Sequence, residues 1–387
     1  VEPGTYQEDL NINTDEITLL SNPGAIINGG IKISGHNTII SGFEINNGYF
    51  DSSAQSQVGI YINGQAIVKN CLFKNIEGDT PTGIITETEV SNVKVIDSNF
   101  ENIWRAIYLN PGNNNSVKNN SFTDCDYAIS TDGQSDILIL SNKFNNLEKE
   151  ILGASNVGLN FKFMNNQITS NANNAIFNYV SGEKINAKSN WWGTEKIYEI
   201  EEIINNTNKI EYTPFYTNES LSELAYLKYN FDNTKDTEKW YKDRRLPNKF
   251  AITTEDVLLQ AIDSSDVPSD SFYQYQGKKH DIPGATKVTI EMYVPSDWQT
   301  GSKVRAGIWS TGLNATDDIS LYPIVEFTNN DSDDDSNGDP RFRLWPVDPN
   351  TGEWVTLHEF SSENEYDKWY TFTMELDRDR NIVDFKI

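Results

Sequence analysis

Residues 93–102, VKVIDSNFEN, carry the pattern that decides the fold of the first half of the chain. Val95 and Phe100 stand five positions apart, and Asn102 follows the phenylalanine by two positions. The same pattern returns in SVKNNSFTD (116–124) and again in ILILSNKFNN (137–146). Short apolar stretches that recur at a fixed period indicate a chain that coils on itself.

The repeat extends over residues 38–193 and is marked by one apolar column. Its markers are Ile45, Phe73, Phe100, Phe122, Phe144, Ile168 and Trp192, at intervals of 28, 27, 22, 22, 24 and 24 residues. A second apolar column lies five positions earlier, at Ile40, Val68, Val95, Val117, Ile139, Phe163 and Ala187. This period is too short for a strand–helix–strand unit, and it predicts β-solenoid coils stacked at the strand spacing of ~4.8 Å.

Polar columns flank the markers. Two positions before the markers stand Cys71, Ser98, Asn120, Asn142, Asn166 and Asn190, and two positions after them stand Asn47, Asn75, Asn102, Asp124 and Asn146. Asparagine tolerates the left-handed conformation at turns, and its amide can bond the amides above and below. We therefore interpret these columns as structural ladders.

The tandem tryptophans and the two cysteines are placed by the same columns. Trp192 occupies the marker column and is predicted to lie in the core, whereas Trp191 points outward, to cover the last coil or to stack on a sugar. Cys71 and Cys125 lie two coils apart, about 10 Å along the axis, beyond the reach of an unstrained disulfide. Both are predicted to be free and buried.

These features resemble the right-handed parallel β-helix (pectin-lyase-like) proteins. The resemblance covers residues 1–222: the opening PGTYQEDLNI, the N-x-F coils and the closing segment NWWGTEKIYEIEEIINNTNKIEYTPF. It implies an all-β fold whose first domain is such a helix. It implies no activity, because the architecture serves lyases, hydrolases, esterases, epimerases, adhesins and spike proteins.

The catalytic inventory of this domain is small. The first 220 residues contain one arginine, Arg105, and one histidine, His36. The SGHN around His36 departs from the Gly-His-Gly of polygalacturonase-like enzymes, and a solvent-facing turn is the favoured interpretation. The remaining candidates for acid–base catalysis are Asp97, Glu101, Arg105, Asp124 and Asp126, which could share one side of successive coils or form a solvated face.

Residues 223–387 change character and are predicted to form a second domain. Period-two stretches recur between turn signals: KVTIEMYV, SKVRAGIW, LYPIVEFT, PRFRLWP, EWVTLHEF and KWYTFTMEL. They predict an antiparallel β-sandwich. This part resembles, less specifically, the jelly-roll sandwiches of the concanavalin and laminin-G type, which often bind sugars through aromatic rings, carboxylates and calcium.

Three candidate features follow for the second domain and the surface. Trp298, in the loop PSDWQTG, is predicted to be the exposed ring of this domain. The loop NNDSDDDSNGDP offers oxygen ligands for calcium, or is simply a solvated acidic loop; its carboxylates are Asp331, Asp333, Asp334, Asp335 and Asp339. Glycosylation sequons occur at Asn114, Asn119, Asn205, Asn218, Asn314 and Asn330.

Charge and length bound the function. The 387 residues fit about two domains, and 31 basic against 57 acidic residues give a net charge of −26. This charge repels polyanions, so nucleic acid is excluded as a partner. No apolar run is long enough to span a membrane, no signal peptide is visible, and the strand-like NIVDFKI at the end leads us to expect a truncated piece of a longer chain.

Intact ladders beside a poor catalytic inventory favour an extracellular or cell-surface, non-catalytic protein. Its expected roles are adhesion, glycan binding at Trp191 or Trp298, or assembly of a surface layer or filament, with calcium as a candidate cofactor. The alternative is a polysaccharide lyase or glycoside hydrolase that acts on the β-helix face. Self-association through solenoid ends is a third role, because an uncapped end exposes unpaired backbone groups.

Overall fold

The computed structural model describes residues 1–51, 56–169, 176–262, 277–282, 284–300, 304–313, 319–329, 339–345, 353–377, 380 and 382–387. The chain divides into two compact units, the first at Val1–Ile282 and the second at Pro283–Ile387. The domain boundary that the sequence suggests between residues 222 and 223 stays a prediction. Each unit is described by itself.

The first unit consists almost entirely of short strands. In chain order they are β1 (Gly4–Tyr6), β2 (Leu10–Ile12), β3 (Thr18–Leu20), β4 (Ala25–Gly29), β5 (Ile31–Ile33), β6 (Thr38–Ser41), β7 (Glu44–Asn47), β8 (Tyr49–Asp51), β9 (Ser56–Ile62), β10 (Ala66–Lys69), β11 (Leu72–Lys74), β12 (Thr82–Thr86), β13 (Lys94–Ile96), β14 (Asn99–Glu101), β15 (Arg105–Leu109), β16 (Gly112–Asn113), β17 (Ser116–Lys118), β18 (Ser121–Thr123), β19 (Tyr127–Asp132), β20 (Gln134–Ser135), β21 (Leu138–Leu140), β22 (Lys143–Asn145), β23 (Glu150–Ser155), β24 (Phe161–Met164), β25 (Gln167–Ile168), β26 (Ile176–Tyr179), β27 (Ile185–Asn186), β28 (Ile210–Glu211), β29 (Phe215–Tyr216), β30 (Leu224–Ala225), β31 (Tyr241–Lys242), β32 (Lys249–Ile252), β33 (Leu258–Ala261) and β34 (Lys278–Lys279).

Three long parallel sheets built from strands between β1 and β28 form a β-solenoid of about eight turns, whereas β29 to β34 pair in two-stranded antiparallel sheets. The first sheet contains β1, β4, β7, β11, β14, β18, β22 and β25; the second contains β2, β5, β9, β12, β15, β19, β23 and β26; the third contains β3, β6, β10, β13, β17, β21, β24, β27 and β28. One coil visits the third, first and second sheets in turn, as β13, β14 and β15 do. The all-β, parallel-solenoid prediction is confirmed.

The register of the sheets agrees with the columns of the sequence. Phe100 pairs with Phe122, and Val95 pairs with Val117. The rings of the marker column stack directly, with centroids 4.6 Å apart for Phe73 and Phe100 and 5.2 Å apart for Phe100 and Phe122. Each coil thus places one aromatic ring on the next, which builds a continuous core along the axis.

The polar columns divide into two kinds of ladder. The residues two positions after the markers adopt the left-handed conformation, as Asn102 (φ 52°) and Asp124 (φ 54°) do. The asparagines two positions before the markers are instead buried. The backbone amide of Asn120 donates to Asn142 Oδ1 over 2.9 Å, its Nδ2 donates to the same oxygen over 3.1 Å, and Asn142 repeats both bonds to Asn166. The second ladder therefore saturates buried polar atoms from coil to coil.

Trp192 and the cysteines lie where the columns place them. Trp192 is buried against Phe163 and Phe177, and Trp191 forms a bridge with Gln167 in the last coil. Cys71 and Cys125 are free and buried. After this coil the chain forms α1 (Ile197–Ile203), a helix the sequence analysis missed, and returns to the third sheet at β28. No helix in the described residues has the length and apolarity to cross a membrane.

The second unit contains antiparallel strands. They are β35 (Lys287–Val294), β36 (Arg305–Trp309), β37 (Gly312–Leu313), β38 (Ile319–Leu321), β39 (Ile324–Thr328), β40 (Arg341–Trp345), β41 (Val355–Glu359), β42 (Lys368–Asp377) and β43 (Ile382–Lys386). A three-stranded sheet, β35-β42-β43, and a four-stranded sheet, β36-β39-β40-β41, share one core, which includes Phe372 from the first and Phe327 and Phe342 from the second. These antiparallel sheets are small.

The four-stranded sheet also buries an ion pair. Glu326 on β39 lies directly opposite Arg343 on β40, and Arg343 Nη2 is 2.6 Å from Glu326 Oε1. Both side chains are almost fully buried, and the Arg343 guanidinium stacks over the Trp354 ring at 3.8 Å. The second unit thus stabilises buried polar groups by charge, where the solenoid uses neutral amides.

Candidate functional site

The outer surface of the second sheet carries a cluster of aromatic and charged side chains, which we call the Arg105 face and define by Trp104, Arg105, Tyr108, Tyr127 and Glu150. Arg105 pairs with Tyr127 on the next strand, and Tyr127 pairs with Glu150 on the strand after that. The three therefore form one column across β15, β19 and β23, about 10 Å long at the usual strand spacing.

Aromatic rings surround the guanidinium of Arg105. Its central carbon lies 4.5 Å from the ring centroid of Trp104, 4.8 Å from that of Tyr108 and 5.6 Å from that of Tyr127. Cation–π attraction holds a cation in such a position. The rings of Trp104 and Tyr127 also contact each other, at 4.9 Å between centroids, so the surroundings of the cation are rigid.

Arg105 forms no direct salt bridge in the part of the chain that the structure describes. Its Nε is buried without a hydrogen-bond partner, and the carboxylate of Glu150, two strands along the column, attracts it only at longer range. Burial lowers the pKa of Arg105, although an arginine so perturbed remains a cation at neutral pH. A desolvated, unpaired cation costs free energy, and an anionic ligand would recover that free energy.

Glu150 closes the other end of the column. Asn178 Nδ2 donates to its Oε1 over 2.8 Å, which fixes the side chain. Its Oε2 lies over Gly153, where a β-carbon would come within 2.4 Å of that oxygen. A second column, parallel to the first, contains Tyr108, Ser130 and Gly153 on the same three strands. Its side chains become smaller from one strand to the next, so the surface is lower beside Glu150 than beside Arg105.

Asp126 stands at the edge of the face and is already paired. Lys149 Nζ lies 2.6 Å from its Oδ2 and 5.3 Å from the centroid of Tyr127. This contact raises the pKa of Lys149. Asp126 is thus held by a cation on the next coil, an arrangement that opposes a free role in acid–base chemistry.

The other acidic candidates are divided between two corners of the coil. Glu101 and Asp124 are exposed at the corner next to Arg105, and Asp124 accepts a hydrogen bond from Asn146. Asp97 lies at the opposite end of the first sheet, where its Oδ1 accepts from Asn119 Nδ2 over 3.1 Å. One corner of the coil therefore carries Glu101, Arg105, Asp124 and Asp126, and Asp97 lies at another corner.

Four members of the Arg105 face were missed in the sequence: Trp104, Tyr108, Tyr127 and Glu150. A usable signal existed, because Arg105 follows the marker Phe100 by five positions and Tyr127 follows Phe122 by five. Glu150 follows its marker by six, so an alignment on a fixed offset loses it. His36, by contrast, is exposed in a bend, as expected.

The predicted glycan-stacking tryptophans are not fully exposed. Trp191 is half-buried in the last coil. Trp298 was expected to be the exposed ring of its domain, and this expectation was wrong, because its ring packs on Phe327 in the core at 5.2 Å between centroids. Trp369 is the exposed tryptophan instead, with half of its surface accessible. The role of Trp191 and Trp298 in binding remains a prediction.

The calcium and glycosylation candidates lie partly outside the described residues. Six of these residues lie outside the described part of the chain: Asp331, Asp333, Asp334, Asp335, Asn314 and Asn330. Asp339 is exposed, and its carbonyl accepts from Arg341 Nη1 over 3.2 Å. Within the described ranges no group of three acidic, histidine or cysteine side chains is arranged to hold a metal. Calcium binding remains a prediction.

Four of the six sequon asparagines lie within the described residues. Asn114 and Asn119 are exposed in left-handed turns, and their side-chain amides bond Asn92 and Asp97. Asn205 is exposed and bonds Tyr179 O, whereas Asn218 is half-buried and accepts from two serines. Their glycosylation stays a prediction.

The three parallel sheets define the first unit's class of fold, a parallel β-solenoid. Residues 29–191 match the family model described as the right handed beta helix region, which covers less than half of the chain. No curated protein matches the sequence. Among solved structures, a similar chain is the enzymatically active domain of tailspike protein 2 of bacteriophage CBA120, at 11% identity, 99% coverage of this chain, 71% of that chain and a TM-score of 0.23. So low a TM-score supports no inference about function.

Proposed function

We propose that this protein binds a glycan, without catalysis, on the Arg105 face of its solenoid. The observation that carries the proposal is the guanidinium of Arg105, which is surrounded by three rings and forms no direct salt bridge in the described structure, where Glu150 attracts it only at longer range. Rings offer stacking surfaces to sugars, and a guanidinium offers paired hydrogen bonds to a carboxylate. A sugar that carries an acidic group satisfies both.

The net charge of the protein restricts the ligand further. At −26 the chain repels a dense polyanion, and this repulsion is screened only beyond about 8 Å at physiological ionic strength. A single unpaired arginine is not enough to overcome repulsion along a fully charged chain. The ligand that fits is therefore a glycan with occasional acidic groups between neutral sugars.

The proposal has further parts, which concern the location of the protein, the second unit and self-association. We place the protein outside the cell or on a cell surface, in adhesion or in the assembly of a surface layer or filament. The second unit is proposed to be a jelly-roll sandwich. Self-association through solenoid ends or sandwich edges is also part of the proposal.

The alternative is a polysaccharide lyase or glycoside hydrolase. Such an enzyme would use Arg105 or a free carboxylate near it in proton transfer. The pairing of Asp126 with Lys149 and of Asp124 with Asn146 supports the non-catalytic version. Turnover and binding are separated by one experiment.

The test compares the retention of four chains on immobilised xanthan, polygalacturonate and dextran, with product release measured in parallel. The chains are the wild type, Arg105→Ala, Arg105→Lys and the control Lys94→Ala, which removes an exposed cation from another sheet of the same coil. Because a hydrogen bond to a charged group contributes about 1.5–3 kcal/mol, Arg105→Ala should bind xanthan roughly 10- to 100-fold more weakly. Lys94→Ala should bind as the wild type does.

The contrary outcomes are specific. Equal retention of the wild type and Arg105→Ala would remove the Arg105 face from the proposal. Release of reducing ends or unsaturated products, abolished by Arg105→Ala or Asp126→Ala, would establish the enzyme alternative. Arg105→Lys should restore binding in part, because lysine supplies the charge without the planar pair of donors.

A further inference from the structure

The outer face of the three-stranded sheet in the second unit carries an exposed aromatic pair. Tyr293 on β35 lies directly opposite Trp369 on β42, and their ring centroids are 5.5 Å apart. Trp369 is 50% exposed and Tyr293 is 39% exposed. The opposite face of the same strands packs into the core through Phe372 and Met374, so the two rings stand on a rigid support.

The orientation of the tyrosine is fixed by a local network. Its hydroxyl donates to Asp367 Oδ1 over 3.1 Å, and the same oxygen accepts from the backbone amide of Ser296 over 2.9 Å. These bonds lower the pKa of Asp367 and keep its carboxylate charged as an acceptor. The ring of Tyr293 is thus held in place beside Trp369 before any ligand arrives, which reduces the entropy cost of binding.

Polar pairs continue the face along the two strands. Glu291 lies opposite Thr371, and Thr289 lies opposite Thr373, with the two threonine hydroxyl oxygens 3.3 Å apart. Successive pairs on one face are about 7 Å apart along an antiparallel strand. The two rings therefore begin a strip of hydroxyl and carboxylate groups that is several sugar units long.

We propose that this strip is a second glycan site, which binds a neutral polysaccharide with a sugar ring on Trp369 and Tyr293. Rings contact the apolar face of a sugar, and the threonine and glutamate oxygens exchange hydrogen bonds with its hydroxyl groups. The strip has no cation surrounded by rings, which distinguishes it from the Arg105 face. Lys287 is paired with Glu375, and Lys386 lies beside Thr373, at the end of the strip away from the two rings. The acidity of the chain excludes nucleic acid, and one aromatic pair is too little apolar surface for a stable protein interface.

The site makes a separate prediction from the proposed function. Its ligand is neutral, and none of its residues belongs to the Arg105 face or to the solenoid. Arg105→Ala should leave the binding of neutral glycans unchanged. The two proposals therefore succeed or fail independently.

The experiment measures binding of soluble xyloglucan, xylan, galactomannan and starch by affinity electrophoresis of the full chain. The variants are Trp369→Ala, Tyr293→Ala and the control Tyr322→Ala, which removes another exposed tyrosine of the second unit. At least one glycan should retard the wild type, and Trp369→Ala should weaken that binding about tenfold or more, because a ring contact contributes on the order of 1 kcal/mol beyond its buried area. Tyr322→Ala should bind as the wild type does.

Three results would contradict the proposed site. The first is a wild type that none of the four glycans retards, and the second is equal retardation of Trp369→Ala and Tyr322→Ala. The third is an oligomer, detected by light scattering after gel filtration, that Trp369→Ala dissociates, which would assign the rings to contact between copies. A folding defect is excluded by near-ultraviolet circular dichroism of each variant, and Thr371→Val provides a second variant that removes a hydroxyl group without removing a ring.

Discussion

The solenoid and the second unit solve the same problem, the burial of polar groups, in different ways. In the solenoid, Asn120, Asn142 and Asn166 stack so that each amide satisfies the next. In the second unit, the buried side chains of Glu326 and Arg343 satisfy each other as an ion pair. In a repeat, the same neutral side chain on the next coil serves as the hydrogen-bond partner, whereas antiparallel sheets without such a repeat need two complementary side chains. The energetic consequences of the two solutions can be measured.

The largest effect is expected when the ion pair is broken on one side. Arg343→Met leaves Glu326 buried without its cation, and we expect a loss of about 3–5 kcal/mol in the free energy of unfolding of the second unit. Urea unfolding followed by circular dichroism measures it. The double variant Arg343→Met/Glu326→Leu should recover most of that loss, because it removes both charges together. Similar stability of the single and double variants would show that packing on Trp354, and not charge, is what the arginine contributes.

A smaller loss is expected from one missing rung of the amide ladder. Asn142→Ala leaves the buried amide of Asn120 and the carbonyl of Val117 without their side-chain partner, and we expect a cost of about 2–3 kcal/mol. The control is Asn145→Ala, a partly exposed asparagine on the same coil. A cost equal to that of the control would show that the coils rely on backbone pairing alone.

The repeat in the sequence was sufficient to predict the solenoid because each column has one physical role. Val95 and Val117, or Phe100 and Phe122, pair in the predicted register, since every coil must present the same side chain to the same core. The Arg105 face was only partly predictable. Its members face solvent, where no packing requirement makes successive coils alike, and an inserted residue before Glu150 shifts the offset.

The strands of the second unit were predictable from the sequence, but the exposure of its side chains was not. KVTIEMYV and KWYTFTMEL form β35 and the greater part of β42, as their alternation indicates. Alternation does not tell which face of an antiparallel sheet is buried, and a loop position does not guarantee exposure. Trp298 therefore lies against the core, whereas Trp369, near the start of the regular strand β42, is the exposed ring.

A modest, pH-dependent effect is expected outside both ladders, in the aromatic cluster of Tyr229, Trp240 and His280. The Nδ1 of His280 lies 2.8 Å from the carbonyl of Asp281, and its Nε2 is buried without a partner in the described structure. Burial lowers the pKa of His280. Below about 6.5 the unfolded chain therefore takes up a proton that the folded chain resists, and stability falls as the pH falls.

The measurement is the difference in the free energy of unfolding between the wild type and His280→Phe, from pH 8 to pH 5. The difference should be constant above pH 7 and should shift in favour of the variant as the pH drops below 6.5. Burial raises the pKa of Asp236, which contributes to the wild type with the opposite sign, so only the difference between the two chains isolates the histidine. His36→Ala removes an exposed histidine as the control, and a pH dependence lost in that variant instead would contradict the assignment.

The smallest effect on stability is expected at the Arg105 face, and it separates a binding site from a structural ladder. A ladder residue stabilises the fold, whereas the desolvation cost of a cation held among rings and its cation–π attraction to them oppose each other. Arg105→Ala should therefore change the free energy of unfolding by no more than about 0.5 kcal/mol in either direction, while glycan retention falls. A decrease in the free energy of unfolding as large as that of Asn142→Ala would mean that the guanidinium stabilises the fold by packing against Trp104 and Tyr127. Stability kept and binding lost would mark the cation as maintained for a ligand, because no requirement of the coil accounts for it.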